Sequence, residues 1–362
     1  MFKRQSINLT ICLLLSALTV FSFSQDFDTG ISLIDSEDLQ SHVSFLASPF
    51  MKGRANGEPE LEIALNYITS QVRQTGLKPA NGSEYRQSYR VIKSDNSLHR
   101  PDYSLKSVNY SEDQRDKEGE EIVLHNVAAW IEGSDPVLKS EYVLFSCHAD
   151  HIGEINDKIY PGADDDASGC AALLEIAEAF QNSPEKPLRS IIFLWLTGEE
   201  IGLLGSRAYV NDPLFPLSNT IVNLNIDMIG RVKGVADTTS ETSVSGPFGV
   251  FIISDDQSKD LMSVAADADR NSIIDFDYSL SGRDNHLNLF ARSDHFNFIK
   301  KDIPILFFTT GLHSDYHTPG DVTGKLDFNK MELVTKCVFE IGREVANRRS
   351  RLVVDNPFTK RQ

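Results

Sequence analysis

The pattern of apolar positions changes character near residue 122. Upstream, residues 36–47 (SEDLQSHVSFLA) predict an amphipathic helix with Ser36 as its N-cap. A second helix is predicted from Pro59 to Gln74, where Leu61, Ala64, Leu65 and Ile68 share a face and Gly76 ends the run. Tyr85–Ile92 and Tyr103–Tyr110 alternate as strands do, and the charged stretch 111–121 reads as an exposed turn or loop.

From residue 122 onward, continuous apolar runs alternate with helical segments. The runs are 122–131, 142–146, 190–196, 221–226 and 304–309, and helices are predicted at about 168–182, 200–210, 256–270 and 327–348. Unbroken apolar runs separated by helices indicate strands covered on both faces. The predicted fold class is therefore α/β: a three-layer αβα sandwich on a mixed, largely parallel sheet. With no internal repeat and no low-complexity linker, residues 25–362 read as one domain with an N-terminal helical cap.

Composition narrows the function classes. The chain has 362 residues, 41% hydrophobic and 24% charged, with 35 Lys and Arg against 52 Asp and Glu and a net charge of −17. Nucleic acid is excluded as a partner on this basis, because phosphate neutralisation needs clustered cations. The first 24 residues read as a signal peptide: Lys3 and Arg4, an apolar run from Ile7 to Phe23, then Ser22 and Ser24 before Gln25. An uncleaved anchor is the alternative. Cleavage predicts a secreted or periplasmic protein with no stable membrane span. Of the four cysteines, Cys147, Cys170 and Cys337 would remain. They form neither a disulfide framework nor a Cys-x-x-Cys zinc site, and read as buried thiols.

Acids and histidines cluster just beyond the buried runs. His148 and Asp150 follow 142–146, Glu199 and Glu200 follow 190–196, and Asp227 ends 221–226. Asp165 precedes the 168–182 helix, and His317 lies in a loop after 304–309. In open α/β sheets, ligand crevices form beyond the carboxyl ends of parallel strands. His and carboxylate donors without cysteine suit zinc. Two ions about 3.5–4 Å apart would require a shared carboxylate. Adjacent Glu199 and Glu200 allow one carboxylate to hold metal while its neighbour moves a proton.

The blocks CHADHIG, PGADDDASG, LTGEEIGLLGS, NIDMIG and SDYHTPGD, with the earlier FLASPFMKGR and GLKPA, carry a resemblance to a known family. In this order they resemble the co-catalytic zinc peptidases that include secreted bacterial leucyl aminopeptidases and glutamate carboxypeptidases. The resemblance implies two Zn²⁺ held by His148, Asp165, Glu200, Asp227 and His317, with Asp165 bridging. It implies Glu199 as the general base that takes a proton from the attacking water and passes it to the leaving amine. Asp150 would orient the first His ligand, and Tyr316 would stabilise the oxyanion.

Neighbouring residues receive other readings. His151 reads as a pocket or structural residue, His313 as a rim residue, and Asp164 or Asp166 as an acid at the N-terminus of the 168–182 helix. Ser168 reads as a cap, and Asp294 and His295 receive no role. The function expected is a metallo-exopeptidase removing N-terminal residues from peptide substrates. Rival readings are a single-zinc glutaminyl cyclase, a carboxypeptidase or dipeptidase of the same family, and an inactive peptidase-like binding module.

Overall fold

The computed structural model describes residues 30–94, 102–106, 119–239 and 241–360. The segment read as a signal peptide lies outside the described residues, as do 107–110 and most of 111–121. Among the described residues, no helix is long and apolar enough to cross a membrane.

The central sheet is built from β1 (Arg86–Ser94), β2 (Asp102–Leu105), β3 (Glu120–Ile131), β4 (Tyr142–His148) and β5 (Ser190–Leu196). It is completed by β6 (Thr220–Ile226), β7 (Gly249–Ile253), β8 (Asp275–Asp277) and β9 (Ile305–Thr309), with the short strand Lys78–Pro79 also pairing with β3. The strand order is β8-β7-β9-β6-β4-β5-β3-β1-β2. Its centre, β9-β6-β4-β5, is parallel, and β7, β3 and β1 run antiparallel to their inner neighbours. All the apolar runs of the sequence become strands. β7 lies in a stretch for which no strand was predicted, and β3 pairs antiparallel to β5 rather than joining the parallel set.

Helices α1 (Ser36–Leu46), α2 (Pro59–Gln74), α3 (Gly169–Asn182), α4 (Leu204–Asn211), α5 (Lys259–Asn271), α6 (His295–Ile299) and α7 (Phe328–Asn347) cover the sheet. Strand side chains alternate between the faces. Val143, Phe145 and Cys147 pack into the core beneath α1, α2, α3, α5 and α7, whereas Leu144, Ile192 and Leu194 join Tyr209 of α4 and Phe298 of α6. Both faces are thus covered, the predicted three-layer α/β arrangement.

Several local expectations need correction. The N-cap of α1 is Asp35, whose carboxylate accepts from Glu37 N and Asp38 N, because Ser36 has already entered the helix. The helix expected at 200–210 starts at Leu204, since Glu199–Leu203 form a turn closed on the Glu199 carbonyl. Ser168 does not cap α3: its hydroxyl donates to Asp164 O and accepts from Ile229 N. Asp166 takes that place, its Oδ1 accepting from Gly169 N at 2.9 Å. The strand expected at Tyr103–Tyr110 is described only as Asp102–Leu105. Cys147, Cys170 and Cys337 are buried and free, with the first two sulfurs 3.8 Å apart.

Candidate metal centre

Each donor side chain is delivered by the carboxyl edge of a central parallel strand or the loop after it. His148 is the last residue of β4, Glu199 and Glu200 sit three and four residues beyond β5, and Asp227 directly follows β6. His317 comes from the loop beyond β9, and Asp165 from the distorted turn that enters α3. Parallel pairing puts these ends on one side of the sheet, so residues scattered over 170 positions of sequence converge.

The donors fall into two groups of three that share Asp165: His148, Asp165 and Asp227, and His151, Asp165 and Glu200. Within each group the candidate ligand atoms lie within 4.8 Å of one another. In the first, His148 Nε2 is 3.1 Å from Asp165 Oδ1 and 3.6 Å from Asp227 Oδ1. In the second, His151 Nδ1 is 2.7 Å from Glu200 Oε1 and 3.7 Å from Asp165 Oδ2. His317 Nε2 completes this side, 3.1 Å from Asp165 Oδ2 and 3.3 Å from Glu200 Oε2. All five residues expected as ligands are therefore brought together, and a sixth donor, His151, stands among them.

The donor chemistry fits divalent metal. His148 Nδ1 lies 3.0 Å from Asp150 O. A carbonyl only accepts, so Nδ1 carries a proton there, and Nε2 is the ring atom that faces the Asp165 and Asp227 carboxylates. Asp227 Oδ1 and Glu200 Oε1 are buried with no hydrogen-bond partner among the described residues. Such orphaned acceptors are costly unless a cation meets them. Oxygen and imidazole donors at this spacing match zinc's preferences.

The surrounding charges set the titration of these groups. Burial alone would raise the Asp165 carboxyl, but His151, His148 and His317 outweigh it and hold the group well below the usual carboxylate range. Glu200, likewise opposed by burial and by Asp165, is brought down to about 2 by His151 and His317. Glu199 goes the other way: burial, reinforced by Glu200 and Asp294, raises its carboxyl well above the ordinary value. The carboxyls of two adjacent glutamates are thus shifted in opposite directions.

A layer of polar residues holds this edge in place. Asp150 Oδ1 accepts from Glu199 N and Oδ2 from Glu200 N, both at 3.2 Å, and Oδ2 also accepts from Asn56 Nδ2 at 2.6 Å. Asn56 Oδ1 in turn accepts from Gly198 N at 3.0 Å. Asp150 therefore fixes the Glu199–Glu200 turn with its carboxylate, whereas His148 is oriented by its main-chain carbonyl; the carboxylate stays 3.8 Å from Nδ1. Asp166 accepts from His148 N, Gly169 N and Met228 N, linking three of the converging segments. The Asp321 carboxylate accepts from Asp164 N and Asp165 N. Buried Arg54 donates to the carbonyls of Leu46, Ala149, Pro161 and Gly162, joining the cap to the site loops.

Arg54, Asn56 and Asp321 were not singled out from sequence, although all lie in or near the motif blocks. An arginine ending the apolar FLASPFMKGR segment was the available signal. His313 is not a rim residue: it is buried, with Nε2 3.3 Å from Asp164 Oδ2 and Nδ1 3.2 Å from Arg231. His151 is buried inside the donor cluster itself. His295 stacks on Phe307 and lies 3.0 Å from Phe290 O through Nε2, and Asp294 is buried nearby with its carboxyl pushed up to about 7 by desolvation.

Beside the donors lies a small cleft, reached by Glu199 and walled by Met228, Leu289, Phe307 and Leu312. Tyr316 lines it too, its ring stacked on His317 with centroids 3.8 Å apart and its hydroxyl accepting from Arg292 Nη2 at 3.1 Å.

Several known proteins are similar to this chain. Leucine aminopeptidase 1 of Trichophyton equinum is 30% identical over 235 residues, covering 62% of this chain and 59% of that protein. A vacuolar membrane protease of Verticillium alfalfae is 35% identical over 113 residues, 29% of this chain and 11% of its own length. The chain thus spans less than two thirds of either relative. Among solved structures, an aminopeptidase from Aneurinibacillus sp. strain AM-1 superposes with a TM-score of 0.63 at 17% identity, covering 91% of this chain and 98% of that one. Porphyromonas gingivalis glutaminyl cyclase superposes with a TM-score of 0.61 at 17% identity, covering 86% and 99%. At such identities the likeness is one of fold. The profile of peptidase family M28 matches residues 126–341, a span that runs from β3 through the last predicted donor into α7, and the chain accordingly belongs to peptidase family M28.

Proposed function

We propose that this protein is a zinc-dependent aminopeptidase that uses two zinc ions and Glu199 as its general base. The observation that carries the reading is the pair of donor groups sharing Asp165, with Glu199 beside them in a cleft. His148, Asp165 and Asp227 would hold one ion, and Asp165, Glu200 and His317 the other. Zinc supplies Lewis-acid polarisation of the scissile carbonyl and lowers the pKa of an attacking water toward about 7.

The protein's own groups do the rest. Glu199, its proton affinity raised by burial and by Glu200, accepts the proton of the attacking water and delivers it to the leaving amine. Asp150 holds the Glu199 and Glu200 backbone amides, so base and ligand keep a fixed separation. The Tyr316 hydroxyl, anchored by Arg292, faces the cleft as a donor for the developing oxyanion. The apolar walls from Met228, Leu289, Phe307 and Leu312 favour a substrate whose N-terminal side chain is apolar. Residues 1–24 act as an export signal, making the enzyme secreted or periplasmic, and residues 25–362 work as one catalytic domain under an N-terminal helical cap.

The test is Glu199→Gln assayed on aminoacyl anilides, with metal content measured on the same sample. Expected are two zinc ions per chain in both proteins and a loss of about 10²–10⁴-fold in kcat. Turnover near the parent rate would refute the assignment of Glu199. One zinc per chain with cyclisation of glutaminyl peptides would instead indicate the cyclase reading. Cleavage of N-terminally blocked substrates would indicate carboxypeptidase action.

A further inference from the structure

Resting on the two-metal reading above, we propose that His151 is a direct ligand of the ion held by Asp165, Glu200 and His317. That position then has four protein donors, whereas the position formed by His148, Asp165 and Asp227 has three. The two positions are therefore unequal: one is closed by protein and holds its metal tightly, and the other is open and exchangeable. Structural zinc sites fill four positions from the protein, and catalytic ones leave a position for water or substrate.

The His151 side chain has no exposed surface, and neither ring nitrogen has a hydrogen-bond partner among the described residues. Glu200 Oε1, 2.7 Å from His151 Nδ1, is also without one. His151 offers one ring nitrogen, and Asp165 and Glu200 one oxygen each, within 4.8 Å of one another, the grouping that ligands of one cation show. Donors arranged tetrahedrally at zinc distances of about 2.0–2.1 Å stand about 3.3 Å apart. His151 Nδ1 stands 2.7 Å from Glu200 Oε1 and 3.7 Å from Asp165 Oδ2, and His317 Nε2 stands 3.1 Å from Asp165 Oδ2 and 3.3 Å from Glu200 Oε2, so the two histidines face different oxygens of Glu200. The two imidazole rings approach edge to face, their centroids 5.8 Å apart at 69°.

The backbone prepares this position. His151 N donates to Arg54 O at 3.1 Å, anchoring the residue to the cap loop. Gly162, with φ +61°, lies against the ring, and a Cβ there would stand 2.5 Å from His151 Cγ. Any larger residue would push the imidazole off its aim. The backbone amide and the close approach of Gly162 thus fix where the His151 ring lies.

An anomalous-scattering crystal structure of the zinc-loaded wild type, with competitive zinc titration of wild type, His151→Gln and Asp227→Ala, tests this. The expected result is His151 Nδ1 about 2.0–2.1 Å from one of two zinc peaks. In titration, His151→Gln should weaken the tighter equivalent at least about 100-fold and leave the weaker one in place, and Asp227→Ala should do the reverse. Two zinc ions with His151 Nδ1 farther than about 3 Å from both, or unchanged tight binding in folded His151→Gln, overturns this inference and leaves the proposed function standing. Wild-type protein that takes up no zinc overturns both. If the variant does not fold, the wild-type distance alone decides.

Discussion

Replacing Asp150 with Asn tests whether this carboxylate supports the Glu199–Glu200 turn. The wild-type carboxylate accepts three N–H groups, from Glu199, Glu200 and Asn56. Asparagine keeps the shape but offers one oxygen. If its NH₂ takes the place of Oδ2, it opposes both Glu200 N–H and Asn56 Nδ2. If it takes the place of Oδ1, it opposes Glu199 N–H. Reorienting Asn56 gives no relief, because its own oxygen is already committed to Gly198 N. One or two buried donors are therefore stranded in either orientation. At about 1.5–3 kcal/mol for each hydrogen bond to a charged acceptor, the expected loss is about 2–5 kcal/mol. The assay is urea denaturation of the metal-free protein, which separates this effect from any change in metal affinity. A second readout is kcat with zinc restored, expected to fall because the Glu199 backbone loses its anchor. Metal-free stability within about 0.5 kcal/mol of wild type would refute the scaffold role of the carboxylate.

Other consequences are equally open to measurement. Burial pushes the His295 imidazole down to about 3, below its unfolded value of about 6.5. Because its folded pKa is depressed, its contribution is fully present above pH 6.5 and is lost as pH falls toward 3. That amounts to about 2–3 kcal/mol by pH 4.5, and His295→Leu should flatten this part of the stability–pH curve; curves that stay parallel would contradict it. In α7, a methyl group at Gly342 would stand 2.1 Å from Phe145 Cζ in the core. Gly342→Ala should therefore lower the urea midpoint, by about 1–3 kcal/mol in stability, despite alanine's better helix propensity.

What the sequence by itself determined was the order and kind of the elements and the residues at their ends. Apolar runs such as 190–196 and 221–226 must be buried on both sides, and the acids after them cannot follow into the core, so Glu199, Glu200 and Asp227 had to emerge at strand ends. The motif blocks then pointed to five candidate donors, and the fold gathers all five of them. Local pattern does not encode pairing direction, so the antiparallel placement of β3 and the existence of β7 depended on contacts between distant segments. Nor does it encode which atoms meet. His148 and His151 lie three residues apart in one motif, and His313 directly precedes the motif that holds His317. Only the packing of separate loops turned His151 into the donor cluster and buried His313 against Asp164 and Arg231. Arg54, Asn56 and Asp321 act by the same route, through carbonyls and amides up to 157 residues away. Burial periodicity is a local property of the chain, while the facing of polar atoms across loops exists only once the sheet has brought those loops together.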